Sequence, residues 1–167
     1  MMTDEMQYYV DNQDNVLGKK PISEMHKKRL LHRGSHVFIF NSKGELLLHK
    51  RSMKWTFPGL WDSSAGGHVE YGKIYEEPAK EELEEELGIK TKLTEVGKLM
   101  HKGNYPCNGI VTLYTGNHDG QFNITEKDVS KVKFFAIDEI EKMIKKHPED
   151  FVISVKYGLY LYKKTNT

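Results

Sequence analysis

Only one cysteine, Cys107, occurs among 167 residues. That excludes an internal disulfide framework and fits a reducing cytosol. A lone cysteine reads as a small buried hydrophobe rather than a nucleophile. Net charge is nearly absent: 25 basic and 24 acidic residues leave +1, so no broad electrostatic field points to nucleic acid. No apolar run approaches membrane-spanning length. The opening M-M-T-D-E-M-Q lacks the apolar core of a signal peptide. Internal repeats, low-complexity tracts and long linkers are also missing. The expectation is a cytoplasmic protein without membrane or nucleic-acid partners, residues 1–167 forming one well-buried domain.

What is present alternates strand-like and helix-like segments. Tyr8–Val10 and Asn15–Leu17 flank D-N-Q-D-N and predict an N-terminal hairpin over about 7–19. This hairpin is a candidate for pairing with a second subunit, so a homodimer is open. Pro21-Ile22-Ser23 opens a short helix to about Arg29. Ser35–Phe40 and Glu45–His49 predict strands joined by the turn Asn41–Gly44. Trp55 to Trp61 is an aromatic loop containing Pro58-Gly59. A helix is predicted from about Ile74 to Leu87, strands over Lys92–His101 and Gly109–Thr115 around a turn at Gly103-Asn104, and a strand over Val132–Ile137. Helices from Asp138 to about Lys146 and from Pro148 to about Lys163 close the chain. Strands on both sides of a central helix predict a mixed sheet between helices.

The richest stretch is Gly66 to Ile89, G-G-H-V-E-Y-G-K-I-Y-E-E-P-A-K-E-E-L-E-E-E-L-G-I. Residues three and four apart are helical neighbours, so Glu82, Glu85 and Glu86 share one edge. Ala79, Leu83 and Leu87 form an adjoining apolar stripe, and Gly88 supplies a stop. Glu-rich helices are usually solvated faces. Against that, Lys80 is the only cation between Glu76 and Glu86, and the acids border the apolar stripe. The entering loop also carries Gly66, Gly67 and Gly72, whose backbone can approach a ligand closely. Clustered hard oxygen ligands suit Mg²⁺ or Mn²⁺.

This stretch resembles the Nudix box, G-x5-E-x7-R-E-U-x-E-E-x-G-U with U apolar. Gly67 takes the first position, then Glu82, Leu83, Glu85, Glu86 and Gly88-Ile89 follow in register. Two positions depart: Lys73 replaces the first acid and Glu81 the arginine. The departures complement each other, so an ion pair of reversed polarity would keep loop and helix docked. The resemblance implies an α/β fold, the Nudix-type α/β/α sandwich with a mixed β-sheet. It extends to F-P-G-L-W-D-S-S-A-G-G-H and Asp128-Val129, resembling a branch that holds isopentenyl diphosphate isomerases and hydrolase-like relatives.

The isomerase needs a cysteine and a glutamate on opposite faces of the substrate. Its cysteine position is Gly66 here, and its two glutamates fall on Cys107 and Gly109. His32 and His68 match two imidazoles of the isomerase metal site, and His26 is one residue out of register with a third. With the carboxylates missing, His32 reads as a helix-to-strand boundary residue and His68 as a loop residue. The resemblance therefore implies a hydrolase of a small-molecule diphosphate linked to another group X. Glu82, Glu85 and Glu86 are the catalytic and metal-holding acids for Mg²⁺ (or Mn²⁺), with the Gly66 carbonyl as an extra ligand. Arg51, Lys54 and Trp55 are candidates for binding substrate. Phe57 and Trp61 are expected to pack beneath the glutamate helix. Glu126 and Asp128 are candidates for a general base by position, with plain surface acids as the simpler reading. A non-catalytic binding module is a third possibility.

Overall fold

The computed structural model describes residues 4–54, 56–102 and 108–166. Its order is β1 (Met6–Val10), β2 (Val16–Pro21), α1 (Ile22–Lys27), β3 (Leu31–Phe40), β4 (Leu46–Arg51), β5 (Trp61–Asp62), β6 (Ala65–His68), α2 (Glu76–Leu87), β7 (Thr94–His101), β8 (Asn108–Asn117), β9 (Val129–Phe135), α3 (Ile137–Lys146), a 3₁₀ turn at Pro148–Asp150, and α4 (Ile153–Thr165).

All nine strands join one mixed sheet centred on β3. β3 runs parallel to β8 along its whole length, from Leu31↔Asn108 to Phe40↔Asn117, and antiparallel to β6 and β1. Side chains alternate across a strand. In the apolar run of β3, Val37 and Ile39 therefore face α2, while Phe38 and Phe40 face α3 and α4. β4 divides in the same way, Leu47 from Leu46 and Leu48. Both faces are covered, which makes these runs continuously apolar. The result is the expected α/β/α sandwich. The α2 stripe of Ala79, Leu83 and Leu87 is buried to within 1%. Each leucine contributes roughly 1.5–3 kcal/mol, which anchors the helix carrying the glutamates.

Local chemistry sets the turns. Asp11 Oδ1 accepts from the N–H groups of Gln13 and Asn15 and closes the β1–β2 hairpin, leaving β2 as an edge strand. Asn41 Oδ1 does the same for Lys43 and Glu45, with Gly44 at φ 76°. Gly88 ends α2 at φ 66°.

Three expectations shift. The predicted final helix is split: Phe151 bridges Trp61, and the Val152 N–H bonds the Trp61 carbonyl, so this stretch is extended and α4 begins at Ile153. The strand placed at Val132–Ile137 begins at Val129 and ends at Phe135, because β4 supplies partners from Leu46 to Arg51. Two strands, β5 and β6, occupy what reads in sequence as aromatic and glycine loops. The turn at Gly103-Asn104 and Cys107 lie outside the described residues. Among the described residues, no helix is long and apolar enough to cross a membrane.

Candidate active site

Helix α2 lies across β6, and the two glycines of β6 let it come close. A Cβ on Gly67 would lie 2.2 Å from Glu82 Oε1, so the carboxylate occupies side-chain space that glycine leaves open. One turn on, Glu86 Oε2 faces the Gly66 N–H at 3.4 Å. Glu86 is 9% exposed. Burial, reinforced by the charges of Glu82 and Asp62, holds its carboxyl well above the usual range. Burial and the charge of Glu85 likewise push Glu82 up to about 7, with Asp128, Glu5 and Glu81 adding to the rise. Glu85 is exposed on the same edge, and its carbonyl accepts from Thr125 Oγ1. A buried acid, Glu86, and a half-buried one, Glu82, thus repel each other one helical turn apart.

The reversed pair is present: Lys73 Nζ lies 2.6 Å from Glu81 Oε2 and 3.2 Å from Glu70 Oε1. It ties the loop to α2 one turn before Glu85.

Arg51 ends β4 with its guanidinium spoken for on one edge. Nε donates to the Thr56 carbonyl at 2.7 Å and Nη1 to Asp62 Oδ2 at 2.9 Å. Its charge partly offsets the rise at Glu86, so it lies beside the acids. Lys54 is exposed, and Trp55 lies outside the described residues. Trp61 corrects an expectation: it packs on the α3/α4 side, edge-on to Phe135 at 5.1 Å. Its strand parity turns it away from the glutamate helix. Asp128 is half-buried and acts electrostatically on Glu82 and His49, while Glu126 is exposed.

Several site residues are hard to find from sequence alone. His36 and His49 are buried imidazoles, both held neutral by burial. The His49 Nδ1–H donates to the Ser64 carbonyl at 3.1 Å, with Glu86 at 3.9 Å. Asp62 is 4% exposed. The available signal is a lone polar residue inside an apolar strand run.

A second cluster involves His32 and His68: His32 stands at the start of β3 just after α1, as expected, while His68 lies on a strand rather than in a loop. His68 closes β6, and α1 swings His26 in to meet it. The donor atoms of His26, His32 and His68 lie within 4.8 Å of one another. His32 Nδ1 holds the Leu30 carbonyl at 2.9 Å, which directs Nε2 as the lone-pair nitrogen. His26 Nε2 is buried without a hydrogen-bond partner. Burial lowers the pKa of His32 to about 4 and of His68 to about 3, leaving neutral rings of the kind metals bind. No carboxylate completes this group among the described residues.

Glycines hold the position matching the isomerase cysteine and one of the two matching its glutamates, and histidines crowd both. A Cβ on Gly66 would lie 2.5 Å from His36 Nδ1 and 2.9 Å from the Ser35 carbonyl. One on Gly109 would lie 2.7 Å from His101 Nε2.

The NUDIX domain family model matches residues 30–154. An uncharacterized Nudix hydrolase of Pseudomonas aeruginosa is 35% identical over 133 residues, covering 78% of this chain and 78% of that protein. Isopentenyl-diphosphate Delta-isomerase 2 of Photorhabdus laumondii is 32% identical over 158 residues, covering 92% of this chain and 89% of that protein. The crystal structure of DR0079 from Deinococcus radiodurans superposes with a TM-score of 0.74 at 22% identity, covering 85% and 90% of the two chains; that likeness concerns the fold.

Proposed function

This chain belongs to the NUDIX family, and we propose that it is a Mg²⁺-dependent pyrophosphohydrolase that hydrolyses the phosphoric anhydride bond of a (nucleoside) diphosphate linked to another group X. One observation carries the reading: Glu82 and Glu86, one turn apart on α2, are packed on the β6 backbone at Gly67 and Gly66, and crowding and burial raise both of their pKa values. Mutual repulsion at a buried site is a cost that a divalent ion removes. The donor set of carboxylates beside a close-approaching backbone fits Mg²⁺ or Mn²⁺.

Glu82, Glu85 and Glu86 would hold the ion, with the Gly66 carbonyl as a further oxygen. When bound, it neutralises charge on the phosphate oxygens and acidifies the attacking water. The rest falls to the chain. The remaining N–H groups of Arg51 bind phosphate oxygens in a planar fork, Lys54 adds charge at the rim, and Trp55 covers X. Exposed Glu85 orients the water. Asp128 is the better base candidate than Glu126, because its charge reaches Glu82.

The converging histidines favour a second reading, an isomerase-like centre. It lacks a proton donor at Gly66, and His36 takes the space one would need. A panel of nucleoside diphosphate derivatives, assayed with Mg²⁺ or Mn²⁺ for cleavage to a nucleoside monophosphate and a phosphorylated X, separates the readings. The hydrolase turns over at least one member and loses most of that rate on Glu86→Gln. Conversion of isopentenyl diphosphate to dimethylallyl diphosphate would install the isomerase instead. Thermal stabilisation by ligands without any turnover would mean a binding module.

A further inference from the structure

We propose that Asp62 is the positioning residue of the phosphate site: it holds the Arg51 guanidinium in its binding orientation, and Ser154 of α4 locks Asp62 in turn. The proposal rests on the reading of Arg51 as a phosphate ligand and extends it to residues outside the box.

Asp62 is a buried carboxylate with no place among the metal-binding acids. Its two oxygens receive donors from separate elements. Oδ2 takes Arg51 Nη1 at 2.9 Å from the end of β4. Oδ1 takes the Ser63 N–H at 2.7 Å and Ser154 Oγ at 2.5 Å. Backbone pairing fixes this meeting point. His49 pairs with Asp62 and Lys50 with Trp61, and the Trp61 carbonyl accepts the Val152 N–H at the start of α4. Three elements therefore converge on one carboxylate.

A buried ion pair is weak grounds for stability, since an apolar replacement is often as stable. Its definite effect is geometric. The Thr56 carbonyl and Asp62 engage two of the five guanidinium N–H groups, one on Nε and one on Nη1. The plane of the fork is then set, and the two N–H groups of Nη2 remain for an anion beside Glu86. A free arginine loses rotamer entropy on binding phosphate; a prefixed one has already lost it.

The test uses the full chain and methylenediphosphonate, a diphosphate mimic that phosphohydrolases do not split, titrated calorimetrically with Mg²⁺ present. Asp62→Asn keeps the shape and the acceptor for Ser63 and Ser154 but removes the charge facing Arg51. It should weaken binding roughly tenfold. Ser154→Ala should weaken it in the same direction by less, and serves if Asp62→Asn folds poorly. Arg51→Ala should weaken it at least as much, and adding Asp62→Asn to Arg51→Ala should change nothing more. On any substrate the panel identifies, Asp62→Asn should raise KM while kcat holds within about threefold, the pattern of lost uniform binding. Wild-type affinity in Asp62→Asn, or the same loss in the Arg51→Ala background, would show that Asp62 does not act through Arg51. Failure of the wild type to bind the mimic would overturn the proposal as well. Binding by the wild type with no turnover on the panel would remove the hydrolase reading and leave the positioning role standing.

Discussion

At the residue scale, the ion pair between Lys73 and Glu81 shows what a close reading of single positions can reach. The complementarity of two departures from the box pattern predicts that they touch, and they do, at 2.6 Å. Both side chains are partly exposed, so the pair itself is worth about 0–1 kcal/mol. The fold adds Glu70 to the pair, which changes the expected outcome of a charge swap. Lys73→Glu should cost more than the pair alone, because it faces two carboxylates. Glu81→Arg sets a guanidinium against the Lys73 ammonium. Combining them restores the Glu81 contact but leaves Glu70 facing the new acid, so only part of the loss returns. Melts of the four proteins in EDTA measure the coupling; strictly additive losses would mean the two residues do not interact. Removing charge inside the site should act the other way. Glu86→Gln relieves repulsion with Glu82 and should raise the metal-free melting temperature while lowering Mg²⁺ affinity. Unchanged Mg²⁺ affinity would count against the acid cluster as the ion site.

Elements are positioned by glycines that accept a neighbour's side chain. Gly158 of α4 is the clearest case: a Cβ there would lie 2.5 Å from Phe38 Cζ. Alanine gains up to about 1 kcal/mol of helix propensity, but overpacking costs roughly 1–3 kcal/mol. Phe38 is fully buried, so Gly158→Ala should destabilise, read as a lower denaturation midpoint. Gly66→Cys restores the isomerase residue on paper but drives its Cβ against a backbone carbonyl, which cannot swing aside. It should destabilise by a similar amount and confer no isomerisation; a stable variant that converts isopentenyl diphosphate would contradict this. Strands β5 and β6 mark the limit of local reading. Both are short and β6 holds two glycines, and partners distant in sequence specify them: β4 for β5 and β3 for β6.

Across the whole molecule, two buried groups of opposite character set the pH response of the metal-free protein. His32 and His68 have folded pKa values near 4 and 3 against 6.5 unfolded. Their contribution is complete above about pH 6.5 and drains away as pH falls, because the unfolded chain takes up the protons. Glu82, raised from 4.5 to about 7, and Glu86 act in reverse. The contribution of Glu82 is complete below 4.5 and is lost as pH rises through about 7; that of Glu86, whose carboxyl is also raised, is lost in the same direction. At about 1.4 kcal/mol per pKa unit, each group shifts stability by a few kcal/mol at most. His36 and His49 are lowered in the same direction as His32 and His68, so the imidazoles outnumber the acids; stability in EDTA should peak near about pH 6.5, and Mg²⁺ should raise melting most on the alkaline side. A melting temperature in EDTA that climbs steadily to pH 8 would contradict the buried-acid assignment. The chain by itself determined the sandwich, the α2 stripe, the acid edge, the turns at Asn41 and Gly88, and the reversed pair. All of these depend on helical or strand periodicity, or on spacing within one short segment. Only the tertiary structure decided which glutamates are buried, that His26, His32 and His68 meet, and that Asp62 holds Arg51. It also turned Trp61 away from α2. Those outcomes depend on strand register and on the angle at which α1, α2 and α4 cross the sheet. They arise from contacts between residues far apart in sequence, which no local pattern encodes.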